Sequence, residues 1–205
     1  MRIEILAAKP EGLILEHNHV CPWRAGPLLT VALRKLVTNP GRIAGPYLSA
    51  GMTAMDIGCG MGFFTLPMAS MVGEHGKVIA VDVQQEMIDG LKKNIIKAGS
   101  QNIIPHVCDF HSLHVDQWKG TVDFALIFWM LHEVPDAERM ILEIYSVLAP
   151  NGKLLFAEPI AHVGNKKFRQ SLSMLNQIGF TTIDTPKIPI SRAAVLQKKS
   201  DNLQG

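Results

Sequence analysis

A glycine-rich loop is the first part of the chain whose residue types point to chemistry. The stretch MDIGCGMGFF, residues 55–64, has an acid at Asp56 and glycines at Gly58, Gly60 and Gly62. Glycine lacks a Cβ atom, so it allows positive φ angles and lets a ligand touch the backbone directly. Between a strand and a helix, the free N–H groups and the helix dipole of such a loop point at that ligand. The loop therefore predicts a binding site for a small molecule.

The spacing of these glycines argues against a pyrophosphate ligand. A dinucleotide-binding loop has the pattern G-x-G-x-x-G, with a small residue five positions after its first glycine. Phe63 occupies that position here, and its ring would hold the helix away from the sheet. We expect a ligand that has an adenosine but no phosphates. A plain tight turn is the alternative interpretation.

Short β-rich runs alternate with helical patterns from residue 52 onward, and these elements must position the loop. Strands are predicted at 52–57, 77–82, 102–109, 122–128, 153–159, 180–184 and 191–198, and helices at about 63–71, 87–98, 136–148 and 165–178. This alternation indicates βαβ units and a mainly parallel sheet. Residues 150–152, Pro-Asn-Gly, are predicted to end the third helix before the fifth strand. The connection at 185–189 is shorter than the roughly twelve residues of a parallel crossover, so the last two strands should be antiparallel.

The N-terminal residues differ from the rest of the chain. Residues 1–45 contain four prolines and one helical pattern, at 28–37. About 45 residues are too few for a second stable core. We therefore interpret them as a cap over a single domain formed by residues 46–205.

The domain resembles the class I S-adenosylmethionine-dependent methyltransferases over about residues 50–198. DIGCGMG, at 56–62, matches the first motif of that family, D/E-x-G-x-G-x-G. Residues 122–159 follow the family's fourth strand, fourth helix and fifth strand. The resemblance implies an α/β fold with a Rossmann-like seven-stranded sheet, mostly parallel with an antiparallel last strand. Helices would cover both faces, with the small N-terminal cap outside them.

Two further acids match motifs of this family. Asp82, in VIAVDVQQEMI, takes the place of the acid that holds the ribose hydroxyls. Asp109, in CDF, takes the place of the acid that accepts from the adenine amino group. The alternatives are a helix cap for Asp82, which could coexist with the ribose role, and a cap or surface role for Asp109. The resemblance implies S-adenosylmethionine as cofactor, S-adenosylhomocysteine as product, and cofactor contacts from Asp56, Gly58, Cys59, Gly60, Gly62, Phe63, Asp82, Val83, Met87, Asp109, Phe110 and Phe128.

The residues after the fourth strand narrow the type of methyl acceptor. Phe128 and Trp129 offer neither the N/D-P-P-Y stretch of amino-group methylation nor an oxygen ligand for a metal. Leu131, His132 and Glu133 resemble the stretch found here in small-molecule methyltransferases of quinone biosynthesis. His132 is the candidate general base, because histidine titrates close to neutral pH. It could instead orient the substrate or bond a backbone carbonyl.

The stretch HNHVCPW, residues 17–23, is a candidate for the acceptor pocket. His17, His19 and Cys21 alternate, so an extended segment would present them on one face. They could hold zinc, but no fourth ligand is local and the spacing is unusual, so no metal is assigned. The predicted acceptor pocket comprises His19, Cys21, Trp23, Trp129 and His132. Cys59 is interpreted as a small filler of the loop, since no base is close to it in sequence.

The composition limits the partners. Of 205 residues, 47% are hydrophobic and 19% charged, and the net charge is +2 without a block of basic residues. This balance favours a small-molecule acceptor and gives no reason to expect nucleic acid. The longest apolar run, 124–131, is too short to cross a membrane. With no signal peptide evident and three cysteines in no disulfide pattern, a cytoplasmic location is expected. A binding module without catalysis and a nicotinamide-dependent oxidoreductase are the alternative functions.

Overall fold

A computed structural model describes residues 38–199 of the chain. The strands are β1 (Thr53–Ile57), β2 (Lys77–Asp82), β3 (Ile103–Val107), β4 (Val122–Phe128), β5 (Leu148–Pro159), β6 (Phe180–Asp184) and β7 (Ser191–Lys198). The helices are α1 (Pro40–Ala44), α2 (Thr65–Val72), α3 (Gln85–Ala98), α4 (Ala137–Val147) and α5 (Asn165–Ile178). Short 3-10 helices lie at Gly45–Tyr47, Asp116–Trp118 and Leu131–Glu133.

All seven strands form one sheet in the order β3-β2-β1-β4-β5-β7-β6. The first five strands in this order are parallel to one another. β7 runs antiparallel to both β5 and β6. These pairings confirm the prediction of a mostly parallel Rossmann-like sheet with an antiparallel last strand. β7 is antiparallel to β6 because the short connection between them can only reverse the direction of the chain.

The helices cover both faces of the sheet, as predicted. Successive residues of a strand point to opposite faces, and in the central strands both sets of side chains are largely apolar. On one face α4 and α5 bury Ile141, Ile144 and Leu175 against the sheet. On the other face α1 and α2 contribute to a second cluster, which includes Met68. α3 packs Leu91 into a smaller third cluster next to the glycine loop. Strands buried on both faces explain the continuous apolar run of β4.

The order of the strands determines where a ligand can bind. The chain proceeds from β1 to β2 and β3 in one direction, and from β4 to β5 in the other. The crevice outside the carboxyl ends of β1 and β4 is therefore the switch point, where open α/β sheets bind ligands. The glycine loop follows β1, and His132 follows β4, so both lie at this edge.

Most element boundaries lie within two residues of the prediction, and the largest correction concerns the start of the fifth strand. Pro150, Asn151 and Gly152 do not separate helix α4 from the fifth strand, because β5 begins at Leu148. Leu148 is fully buried and already pairs with Val122. The Pro-Asn-Gly stretch forms an irregularity inside the strand, where Asn151 has a φ of 62° and the β4–β5 register shifts. Burial of Leu148 thus outweighs the local turn signal.

The predicted cap lies mostly outside the described residues. Of residues 1–45, the structure describes 38–45, which contain α1. The Asn39 side chain accepts from the Arg42 N–H at 3.2 Å and caps this helix. Ile43 and Ala44 are buried in the cluster that contains α2. The division into a cap and a domain stays a prediction.

Candidate functional site: a cofactor loop and a histidine–glutamate pair

The glycine loop crosses from the end of β1 to the end of β2. The N–H groups of Gly58 and Cys59 both donate to the Val81 carbonyl, at 2.9 and 3.0 Å. The Gly60 N–H donates to Asp82 Oδ2 at 2.8 Å. All three loop glycines have positive φ angles, from 54° to 97°. The positive φ angles thus favour glycine at all three positions.

The three glycines differ in what surrounds them. A Cβ atom on Gly62 would lie 2.6 Å from Leu91 Cδ1, so this glycine lets helix α3 pack closely. A Cβ atom on Gly58 would lie 3.1 Å from Met130 Cγ. A Cβ atom on Gly60 would meet no heavy atom within 4 Å, so the space above this residue is open. A ligand could therefore approach the backbone at Gly60 directly, as the predicted cofactor site requires.

Two acids at the ends of β1 and β2, Asp56 and Asp82, hold the loop and the helices that follow it. Asp56 is buried and accepts a hydrogen bond of 2.6 Å from the Thr65 hydroxyl, which ties β1 to the first turn of α2. Asp82 accepts from Gly60 N through Oδ2 and from Gln84 N through Oδ1, at 2.9 Å in the second case. Burial raises the pKa of Asp82, and these N–H groups oppose the shift. Asp82 therefore fixes the glycine loop and the chain before α3 from the end of β2, and its ribose role stays a prediction.

Asp109 lies in a loop that it organises itself. Oδ1 accepts from the N–H groups of His111 and Ser112, at 2.7 and 2.8 Å, and Oδ2 lies 2.6 Å from His114 Nε2. The bond to His114, with these N–H groups, lowers the pKa of Asp109 to about 2. The neighbouring Phe110 is 40% exposed. These contacts fit the alternative surface role of Asp109. A carboxylate can accept about four hydrogen bonds, so a further bond from adenine is compatible with them, and the adenine role stays a prediction.

An aromatic cluster fills the end of β4 next to the loop. The ring centroids of Phe64 and Phe128 are 4.6 Å apart, and those of Phe128 and Trp129 are 5.0 Å apart. Phe63 contacts Phe64 edge to face at 5.2 Å. Trp129 has a φ of 61°, which is rare for a bulky residue, and its Nε1 donates to the Ser191 hydroxyl at 2.8 Å. Such strain is frequent at functional sites.

His132 pairs with a buried carboxylate that the sequence motifs did not assign. His132 Nδ1 lies 2.6 Å from Glu158 Oε2, and the His132 backbone N–H donates to Glu158 Oε1 at 3.1 Å. Glu158 is 2% exposed, at the end of β5. Burial raises the pKa of Glu158, and the adjacent His132 opposes that shift. The carboxylate therefore fixes the ring orientation, and in the neutral ring it favours the proton on Nδ1, which leaves Nε2 as an acceptor.

A cavity of about 310 Å³ lies beside this pair, at the carboxyl ends of β4 and β5. Its lining residues are Leu131, His132, Ala137, Glu158, Val163, Lys167, Gln170 and Ser171. Its volume is at the lower end of the range typical of small-molecule sites. Of the predicted acceptor residues, His132 lines it, whereas Trp129 does not.

The remaining predicted residues are distributed as follows. Val83, after β2, and Met87, in the first turn of α3, are both half-buried. Cys59 is buried, and burial raises its pKa, which supports its interpretation as a filler. His17, His19, Cys21 and Trp23 lie outside the described residues. Glu158 was missed, although an acid ending an otherwise apolar strand was a signal for it.

Two absences concern the described residues 38–199 alone. No three His, Cys, Asp or Glu side chains converge there as metal ligands. None of the helices there is both long and apolar enough to cross a membrane.

Relatives of known sequence share the central part of the chain. Demethylmenaquinone methyltransferase from Lactobacillus johnsonii is 36% identical over 107 residues, which form 52% of this chain and 43% of that protein. Arsenite methyltransferase from Halobacterium salinarum is 28% identical over 122 residues, 60% of this chain and 30% of that protein. The chain thus matches less than half the length of either relative.

The fold is also shared with solved structures. A SAM-dependent methyltransferase from Aquifex aeolicus superposes with a TM-score of 0.71, at 24% identity, over 80% of this chain and 91% of the other. A family profile described as a methyltransferase domain matches residues 48–202, which are most of the chain. The chain therefore belongs to this methyltransferase-domain family, within the class I S-adenosylmethionine-dependent methyltransferases.

Proposed function

We propose that the protein transfers the methyl group of S-adenosylmethionine to a small-molecule acceptor, with His132 as the base. The observation that carries this proposal is the 2.6 Å pair of His132 and Glu158 beside a cavity. This pair lies at the same sheet edge as the open space above Gly60. The relatives named for quinone and arsenite methylation support a small acceptor.

The chain would hold the cofactor mainly through the loop and the β2 end. Gly60 leaves room for it, Asp82 presents a carboxylate, and the aromatic rings of Phe63 and Phe128 exclude water. The cofactor supplies a methyl group already activated on a sulfonium, so the protein contributes alignment, desolvation and proton removal. His132 Nε2 can take a proton from the acceptor, because Glu158 keeps the other ring nitrogen protonated.

Titration calorimetry tests the cofactor assignment on the full chain. S-adenosylmethionine and S-adenosylhomocysteine should bind with micromolar affinity, about −8 kcal/mol. NADH should give no heat, because Phe63 leaves no place for a pyrophosphate. Binding of NADH without binding of either sulfur ligand would favour the oxidoreductase alternative and overturn the proposal.

We also propose that residues 1–45 form a cap that takes part in acceptor binding. The described end of this segment supports contact of the segment with the domain, because Ile43 and Ala44 are buried in the cluster that contains α2. Deletion of residues 1–24 should leave S-adenosylhomocysteine binding intact, since the loop, Asp82 and Asp109 all follow residue 50. Methyl transfer should fall much further, because Trp23 and the His17–Cys21 face would be lost. Full activity of the shortened chain would remove the segment from the mechanism.

A further inference from the structure

The second ring nitrogen of His132 faces another histidine. His162 Nδ1 lies 3.3 Å from His132 Nε2, and the two rings meet edge to face at 73°. When the His132 ring is neutral and its Nδ1–H donates to Glu158, Nε2 carries the lone pair and accepts from His162 Nδ1–H. The lone pair needed by a base is therefore covered by His162 in this structure.

The backbone of His162 is fixed, whereas its ring is exposed. The N–H groups of His162 and Val163 both donate to the Pro159 carbonyl, at 3.2 and 2.9 Å. Arg192 clamps the same turn, because its Nη1 donates to the Val163 carbonyl at 2.8 Å and its Nε donates to Asn165 Oδ1 at 2.6 Å. His162 can therefore uncover Nε2 by rotating its side chain towards solvent, without movement of the turn.

The group that replaces His162 must satisfy two partners. It must donate a proton to His132 Nε2, and it should accept from the His162 Nδ1–H that it displaces. A hydroxyl does both with one oxygen. A carbon has no lone pair, an aliphatic amine is protonated near neutral pH and then cannot accept, and a thiol is a weak donor and acceptor. Glu133 Oε1, 3.9 Å from Nε2, is too far to hydrogen-bond and lacks a proton to donate when ionised.

The geometry points to a hydroxyl oxygen as the methyl acceptor, held between His132 and His162. This inference rests on the proposed function and makes His162 a second residue that contacts the acceptor. The O–H proton passes to His132 Nε2, and His162 Nδ1–H stabilises the negative charge that develops on oxygen. The oxygen then bonds to the methyl carbon while the carbon–sulfur bond breaks, with its electron pair going to sulfur. Solvent removes the proton from His132 after the product leaves.

Chemical modification tests the contact without a known acceptor. Diethyl pyrocarbonate reacts with an unprotonated, accessible imidazole nitrogen, and peptide mass mapping gives the rate at His132. In the full chain, His162→Ala should raise this rate roughly fivefold, the effect of losing one hydrogen bond. His75→Ala, at an exposed turn between α2 and β2, is the control and should leave it unchanged. Equal rates at His132 in the wild type and His162→Ala would overturn the inference.

Protection by simple probes tests the acceptor class. Phenol should slow modification of His132 in the wild type more than anisole does, because anisole has no hydroxyl to donate. In His162→Ala the advantage of phenol over anisole should shrink. Equal protection by the two compounds in the wild type would overturn the hydroxyl assignment. Failure of S-adenosylhomocysteine to bind would overturn the proposed function while leaving these two results interpretable.

Discussion

The two halves of the candidate site are built in different ways. The cofactor half is made largely of backbone: three glycines at positive φ, N–H groups aimed at Asp82, and open space above Gly60. The acceptor half is made of side chains from separate elements. There His132, after β4, meets Glu158 at the end of β5.

This difference separates binding from reactivity. We expect the backbone loop to bind the cofactor through its shape, without an ionisable side chain that takes part in proton transfer. The pair of His132 and Glu158 controls which ring nitrogen of the histidine carries the proton, and it is not part of the glycine loop. Each half should therefore be removable without loss of the other, and three changes test that separation.

The largest effect is expected from substitution in the loop. Gly60→Val should abolish S-adenosylhomocysteine binding, because the side chain would fill the open space that the ligand needs. The fold should persist with a cost of about 1–2 kcal/mol for the left-handed backbone. Calorimetry gives the binding and urea denaturation gives the free energy of unfolding.

A matched variant sharpens this result. Gly62→Val should lower the free energy of unfolding far more, because its Cβ would lie 2.6 Å from Leu91 Cδ1. If Gly60→Val binds the ligand like the wild type, the open space is not the cofactor site. If both variants have the same free energy of unfolding, the predicted difference in packing around Gly60 and Gly62 is wrong.

A smaller effect is expected from the acid at the end of β2. Asp82→Ala should weaken S-adenosylhomocysteine binding by about 1.5–3 kcal/mol, the value of charged hydrogen bonds to two hydroxyls. Calorimetry measures the loss. Asp116→Ala, which removes a well-exposed acid in the 3-10 helix before β4, is the control and should bind like the wild type. Unchanged affinity in Asp82→Ala would contradict the ribose role.

The cofactor half could be predicted because its residues are close in sequence. The glycine spacing, with Asp82, Asp109 and the stretch at 122–159, was sufficient to predict the family, and the alternation of strand and helix patterns was sufficient to predict the sheet. The boundaries of most strands also followed from apolar runs bounded by turn residues. The Pro-Asn-Gly stretch misled, because the local turn signal does not show that Leu148 is already buried against β4.

The acceptor half could be predicted only in part. His132 was identified, but its partner Glu158 is distant in the chain and is brought close only by the pairing of β4 with β5. The contact between His162 and His132 likewise depends on how the turn after β5 is fixed by Arg192. No sequence pattern near Trp129 predicts its positive φ angle, because that conformation depends on the contacts that the residue makes at the end of β4.

Glu158→Gln separates the two halves by a change of one functional group. In the wild type, one carboxylate oxygen accepts from the His132 backbone and the other from Nδ1. Glutamine has one oxygen, and an amide nitrogen facing Nδ1 would move the ring proton to Nε2. The base would then have no lone pair for the acceptor, although the side chain keeps its shape.

The most direct test is the rate of methyl transfer from labelled S-adenosylmethionine to a panel of small hydroxyl compounds, for Glu158→Gln against the wild type. We expect the wild type to methylate at least one compound. Glu158→Gln should do so roughly 10²–10⁴ times more slowly, the usual contribution of a general base, with unchanged S-adenosylhomocysteine affinity. A variant as fast as the wild type, or one whose rate falls only as far as its cofactor affinity, would contradict the role of the histidine–glutamate pair.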